Sequence, residues 1–434
     1  MKILQPLRER DYALLFAGIS ISLIGDGMYL VAIAWAAFDL THSASGLAWV
    51  GLGWTSSIAL SALFAGIVSD RFERRRVMIS ADLLRAAAIG AIAALSLSHQ
   101  LSIGVLVALV VVFAAGAPMF EPAMTALVPD ILPPELLLDS SSLTQVSRQF
   151  MRLLIGPVIG GAVVASAGVG TAFAIDAGTF LASALAVFLI RTRSRAGQAG
   201  ATSVLDDARA GYAYVRSQRW LIASVFVQGL QLLAYLGPTY VLLPYIIRHD
   251  LGGGASDFSL VLAADGVGSV IAGLLMSRFG MPKRYLTAMF AFWAIFGLPL
   301  IGFGIVHSVI GLMVMSGIFG VFVTAGIIIL LTTRQSRVPA AMRGRVSSLD
   351  WLVGMGFAPL SLALTAPAAH LFGARATLIG AGALSSLVAV GLYVAFRLWD
   401  DEPPIDGVTD AAPPGAAADE APARAEPAPT PSGV

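Results

Sequence analysis

The chain has 434 residues, 57% of them hydrophobic and 12% charged, with a formal net charge of +1. Soluble domains carry roughly 25% charged residues, and a soluble protein of this length could not hide so many apolar side chains in one or two cores. Cysteine is absent, which excludes disulfides and thiol chemistry, and no basic, aromatic-laced domain offers itself to nucleic acid.

The apolar residues fall in blocks long enough to cross a bilayer as helix, about 20 residues each, and they lack the alternation of barrel strands. Twelve helical spans are predicted. The first, 12–38, is too long for a cleavable leader and no small-residue cleavage site follows it, so it is expected to remain as an anchor. Midway along it, "GDG" sets Asp26 between Gly25 and Gly27. An ionisable side chain inside a span costs at least ~2.5 kcal/mol and asks for a function or a partner. Asp26 is the leading candidate for carrying a proton, with its glycines leaving room for water or substrate. The structural alternative is a carboxylate tied to hydroxyls or to a fixed arginine.

The second span, 47–68, runs into "GIVSDRFERRRV". Gly66 removes a side chain where helices approach closely, and Asp70 stands where a helix N-terminus could accept an anion. Arg71, Arg74, Arg75 and Arg76 follow, and their simplest role is to enforce topology and bind anionic headgroups. The third span, 77–98, carries Asp82 and Arg85 three residues apart on one face. They either neutralise each other or leave Arg85 as a switchable partner for a carboxylate on another helix. In the fourth span, 102–127, Glu121 sits between Pro118 and Pro122 and reads either as a second proton-coupling carboxylate, as a site for cationic substrate, or as an interfacial group.

The fifth span, 144–167, contains "GPVIGG", where Gly156, Gly160 and Gly161 permit close packing and Pro157 permits a kink. Asp176 in the sixth span, 168–190, and Asp265 in the eighth, 257–279, are expected to be capping or interfacial groups rather than exit-side proton acceptors. The connection 191–219 can form a short amphipathic helix with Val204, Ala208, Tyr212 and Val215 on one face, lying along the membrane surface. In the seventh span, 220–247, Gln228, Gln231, Tyr235 and Tyr240 suit an amphipathic ligand in a mostly apolar cavity, although packing accounts for any one of them alone. After the eighth span "GLLMSRFGMPKRY" repeats the earlier hinge with Ser277 in place of the acid. The last spans are 285–306, 308–332, 346–370 and 374–397. Beyond them the proline-, alanine- and acid-rich tail is expected to be disordered.

The domain reading is therefore an N-terminal six-helix bundle at 1–190, a linker at 191–219, a C-terminal six-helix bundle at 220–397 and a tail at 398–434. Arginine and lysine cluster in alternate connections, which places both termini in the cytoplasm. His42, His99, His249, His307 and His370 fall at the opposite span ends, without metal-ligand spacing. There is no G-x-x-x-x-G-K-[ST] loop for ATP and no nucleophile–histidine–acid set, so neither enzyme activity nor a cofactor is expected.

On these residues the chain resembles the major facilitator superfamily over nearly all of 10–397. Gly66, Asp70, Arg71, Arg74 and Arg75 fit its signature G-x-x-x-D-R-x-x-R-R. "SLIGDGMYLVAIAWAAFDL", "SLTQVSRQFMRLLIGPVIGG" and "VPAAMRGRVSSL" are similar to its proton-driven exporters of macrolides, other drugs and siderophores. The resemblance implies an all-α fold of twelve transmembrane helices in two pseudo-symmetric six-helix bundles. It also implies that Asp70 and the hinge arginines latch the halves on the cytoplasmic side, Asp70 meeting the start of span eleven near Val346, with Ser277 leaving the second copy weaker. Gly156, Pro157, Gly160 and Gly161 match an antiporter motif in part, with Arg152 and Leu143 where further glycines are expected. The implied function is export of a hydrophobic or amphipathic small molecule by proton antiport, from a monomer in the plasma membrane. Export of a siderophore or other native metabolite, proton symport, and a non-transporting receptor or lipid-handling scaffold are the alternatives.

Overall fold

The computed structural model describes residues 2–192 and 204–402, and for 63–71, 204–210 and several positions within 138–149 and 340–355 it describes the backbone alone. The linker segment 193–203 and the tail from 403 onward lie outside the described residues. The described chain is helical almost throughout. Four helices come first: α1 (Arg10–Thr41), α2 (Ala44–Arg71), α3 (Arg74–Leu97) and α4 (Ile103–Ile131). Then α5 (Leu137–Gln149) passes through a π-helical turn, Phe150–Ile155, into α6 (Gly156–Phe188). The linker contributes α7 (Val204–Ser217), and α8 (Arg219–Gly237) continues through a second π-helical turn, Pro238–Leu242, into α9 (Leu243–His249). The remainder is α10 (Ala255–Phe279), α11 (Tyr285–Ile295), α12 (Gly297–Ile305), α13 (Val309–Arg337), α14 (Ala340–Phe372) and α15 (Ala374–Ala395).

Each predicted span coincides with a helix or a pair of consecutive helices. The fifth and sixth meet at Gly168, whose φ of +82° breaks α6 into two helices across a kink. Nothing lies within 4 Å of the position a Cβ would take there, so backbone conformation and not crowding requires the glycine. Among the described residues nine helical runs, one of them spanning Pro134–Phe188, are long and apolar enough to cross a membrane. Leu274, Phe279, Ile310 and Leu387 are each more than 60% exposed. An apolar surface on that scale belongs against lipid, because soluble monomers rarely show contiguous patches of more than a few hundred Å².

The two halves pack alike. α2 lies on α4 as α10 lies on α13, α3 lies on α6 as α11 and α12 lie on α15, and α1 lies on α6 as α8 lies on α14 and α15. Between the halves α2 meets α14 and α6 meets α10. At the distal end, where α1 turns into α2, one buried cluster joins both halves. There Trp35 stacks on Phe258 at 5.8 Å and Phe38 meets Tyr245 at 6.2 Å. At the proximal end, where α2 turns into α3, the buried clusters among the described residues stay within one half or the other.

The linker helix α7 departs from its predicted face. Val215 is buried in the core of the second half while Tyr212 is exposed. Gly211 sits close against the Arg345 carbonyl of α14, and the side chains of Val204 and Ala208 lie outside the described residues.

Candidate functional site

The centre of the first half holds one arginine and three carboxylates. Arg85 of α3 donates from Nη2 to Asp26 Oδ1 of α1 at 2.7 Å, with side chains 10% and 18% exposed. Its guanidinium lies over two aromatic rings, Phe180 of α6 at 4.0 Å and Phe113 of α4 at 4.9 Å. Rings so placed attract a cation and hold it in an apolar setting. Asp82 is buried beside the Ser183 hydroxyl of α6 without a formed hydrogen bond. Asp176 is fully buried; its Oδ1 accepts from Thr179 Oγ1 at 3.3 Å and its Oδ2 has no donor.

This arrangement selects between the two readings of Arg85, in favour of a carboxylate on another helix, and corrects two further readings. Asp82 and Arg85 do not make the intrahelical pair, because the two rings and Asp26 draw the guanidinium toward α1, α4 and α6. Asp176 is not an interfacial group but part of the same buried cluster, which Arg85 and Asp26 both influence electrostatically. Asp265 is not interfacial either: it faces α13, where a Cβ on Gly320 would collide with it.

The glycines around Asp26 serve helix packing and not a vestibule. A Cβ on Gly25 would strike Thr179 and Asp176 of α6. One on Gly27 would come within 2.6 Å of the Arg152 carbonyl and 2.7 Å of Gly156 Cα. The partners of "GPVIGG" are thereby identified. Gly156 and Pro157 abut Gly27, Gly160 abuts Met28, and Gly161 abuts Ser259 of α10 in the other half. The motif is thus a seam that presses α6 onto both the charged helix α1 and the second bundle.

The four polar residues predicted in span seven divide between two cavities. Gln228, Gln231 and Tyr235 line one of about 170 Å³ inside the second half. There the Gln231 amide donates to the Trp293 carbonyl at 2.8 Å, Gln228 donates to Ser224 O at 3.0 Å, and the Tyr235 ring packs on Phe296 and Phe319. Tyr240 lines a larger cavity of about 300 Å³ between the halves, with Tyr29, Trp54, Arg152, Phe258 and Leu362 among its walls. Tyr29 also packs on Phe113 at 4.8 Å, the ring beneath Arg85. The cavity and the charge cluster therefore share a wall.

Glu121 lies apart from both. It receives Arg148 through two hydrogen bonds, at 2.6 and 3.0 Å, and is 47% exposed. In the hinge, the side chains of Gly66, Asp70 and Arg71 lie outside the described residues. Arg74 donates to Ala126 O at 2.8 Å and to Asp130 at 2.7 Å, Arg75 donates to the Phe188 carbonyl, and Arg76 pairs with Glu73. Arg74 and Arg75 thus bind within their own half here. In the second copy the Ser277 hydroxyl bonds back to Leu274 O at 2.8 Å.

Comparison with known proteins agrees with the fold. Residues 2–411 match the family described as the transmembrane secretion effector of the major facilitator superfamily. Macrolide efflux protein A of Streptococcus pyogenes is 24% identical over 387 residues, covering 87% of this chain and 93% of that protein. The multidrug efflux pump Tap of Mycobacterium tuberculosis is 27% identical over 406 residues, covering 90% and 94%. Among solved structures, a bacterial homologue of the human lysosomal transporter Spinster, inward-facing and unoccupied, superposes with a TM-score of 0.70 at 14% identity, covering 92% and 98%. The peptide-transporter relative PepTSo gives 0.68 at 12% identity, covering 91% and 99%.

Proposed function

The chain belongs to the transmembrane secretion effector family of major facilitator proteins, and on that footing we propose that it exports a hydrophobic or amphipathic small molecule in exchange for protons. It is a secondary transporter and not an enzyme. The observation that carries the proton reading is the Asp26–Arg85 pair with Asp82 and Asp176 beside it. One guanidinium balances one carboxylate at a time. A proton delivered to Asp26 releases Arg85 toward Asp176 or Asp82, and its return restores the pair. Because Arg85 rests on Phe113 and Phe113 on Tyr29, that movement reaches the cavity wall.

The proposed architecture is twelve spans in two bundles with both termini cytoplasmic. On this reading the common distal core closes the external side and the cavity faces inward. Asp70 and Arg71 act as a cytoplasmic latch in the opposite state, where the proximal ends must meet, and Arg74 and Arg75 exchange their own-half partners for that contact. Export is favoured over import by the Gly156–Pro157–Gly160–Gly161 seam and by the similarity to efflux proteins. Proton movement in inside-out vesicles, with an imposed pH gradient and a panel of macrolides, amphipathic ions and siderophores, tests the reading. Dissipation of the gradient by one compound supports it. An inserted, folded protein that answers none of them, while the relatives do, would overturn it.

A further inference from the structure

Two π-helical turns occur among the described residues, and each places a polar side chain on the same cavity: Arg152 from Phe150–Ile155 and Tyr240 from Pro238–Leu242. Such turns re-aim one side chain out of the regular helical register and recur at functional sites. Arg152 is the one charged residue of the lining, whose remaining walls are aromatic and aliphatic apart from Thr55 and the two tyrosines. Its Nε is buried with no hydrogen-bond partner, and among the described residues no carboxylate forms an ion pair with it. Arg85, the other arginine of the interior, has by contrast Asp26 and two rings beside it. Tyr240 lies within electrostatic reach of the Asp265 carboxylate and of the Arg152 guanidinium, and of these two charges only Arg152 stands among the lining residues.

The geometry points to an amphipathic organic anion as the ligand of this cavity, its carboxylate or sulfonate on Arg152 and Tyr240 and its apolar body against Trp54, Tyr29 and Phe258. An arginine keeps its charge in any environment a protein offers, so a cationic ligand would meet a like charge among apolar walls, where repulsion is stronger than in water. An anion instead gains a charge-assisted, two-pronged contact. The volume of about 300 Å³ stands at the small end of ligand pockets and admits a single-chain solute but not a two-chain phospholipid. This assignment deepens the export reading and rests on it for the direction of movement, while the binding preference stands by itself.

The test uses the full-length protein in neutral detergent, without a pH gradient, titrated with tritiated undecanoate, its carboxamide and its trimethylammonium analogue. The carboxylate is expected to bind at least about tenfold more tightly than the carboxamide, as a hydrogen bond to a charged group implies, and the cation more weakly than either. Arg152→Gln is expected to erase the difference between carboxylate and carboxamide, and Arg152→Lys to keep part of it. Equal binding of the three probes by the wild type, no binding at all, or an unchanged ratio in Arg152→Gln overturns the proposal. Should Arg152→Gln fail to fold, the wild-type series decides alone. Displacement of the carboxylate by phosphatidylglycerol but not by unlabelled undecanoate would assign the site to a lipid headgroup and overturn it as well. A carboxylate preference in a protein that moves no protons upholds the anion site and sinks the export reading; proton-coupled transport without the preference does the reverse.

Discussion

Arg85 and Asp26 stand 59 positions apart in the chain and 2.7 Å apart in space. The contact joins α1 to α3 in the middle of the first bundle, and the arginine's two aromatic neighbours come from α4 and α6. Four helices therefore converge on one guanidinium. Such convergence supports the proposed cation that changes partners, because the rings would hold it wherever the proton resides.

Asp26→Asn is expected to leave the protein inserted and folded, since the amide oxygen still accepts from Arg85 and the change forfeits only the charge-assisted part of the bond, about 1–2 kcal/mol. Proton-coupled efflux should fall to background. Gradient dissipation in inside-out vesicles measures it, and wild-type rates in the variant would make Asp26 structural.

Removing the cation is a harsher change. Arg85→Gln leaves three buried carboxylates without a counter-ion, and breaking a buried pair costs about 3–5 kcal/mol. Thermal unfolding in detergent should show a marked loss of stability. The double variant Arg85→Gln with Asp26→Asn should recover part of it, because the uncompensated charge is reduced. Arg85→Lys should not rescue transport, as an ammonium lacks the planar face that lies between Phe113 and Phe180. Additive losses in the double variant would mean that the two residues are uncoupled.

Helix positions were legible in the sequence because span length and apolarity report directly on the bilayer, and even the boundary at Gly168 could be read. The partners of Asp26 were not. Spacing on α3 favoured Asp82 for Arg85, and only the packing of α4 and α6 reveals two rings and a nearer carboxylate. Gly25 and Gly27 look like space when read along the chain, and become contact surfaces once α6 is laid against them. Asp176 stands early in its span when read along the chain, and only the packing of α6 on α1 and α3 buries it. Arg152 entered the sequence reading as a flaw in a glycine motif. No periodicity announces a π-helical turn, so its direction into a cavity could not be foreseen.

The seam between α1 and α6 leads to a stability prediction with a built-in control. Gly27→Ala would set a methyl group within 2.6 Å of the Arg152 carbonyl, where backbone on both sides blocks relaxation. Overpacking of this kind costs about 1–3 kcal/mol. Gly178→Ala on α6 has nothing within 4 Å of the new carbon and should be neutral. Equal melting temperatures for the two variants would show that the helices separate more easily than their contacts suggest.

Glu121 was paired with Asp26 in the sequence reading as a proton-coupling group, and its placement argues for a separate role. A half-exposed carboxylate held by Arg148 contributes about 1 kcal/mol or less, and among the described residues no hydrogen bond or ion pair links it to the Arg85 cluster. Glu121→Gln should therefore change the melting temperature little and leave the number of protons moved per substrate as in wild type. A changed ratio in a reconstituted vesicle assay would return Glu121 to the coupling site.

The distal closure can be locked. A Cβ at Gly51 of α2 would stand 3.5 Å from Leu362 Cγ of α14, with the leucine's own Cβ farther off, so a disulfide here draws the two helices slightly together. Leu362→Cys also shortens the side chain that Gly51→Cys would otherwise strike. The chain contains no cysteine of its own, and the double variant therefore carries one possible bridge. Oxidation should consume both thiols, halt transport and be reversed by reduction, while each single variant keeps transporting under the same oxidant. If the bridge forms quantitatively and transport continues, the halves do not part at this end, and alternating access through the cavity between Tyr29 and Tyr240 is wrong.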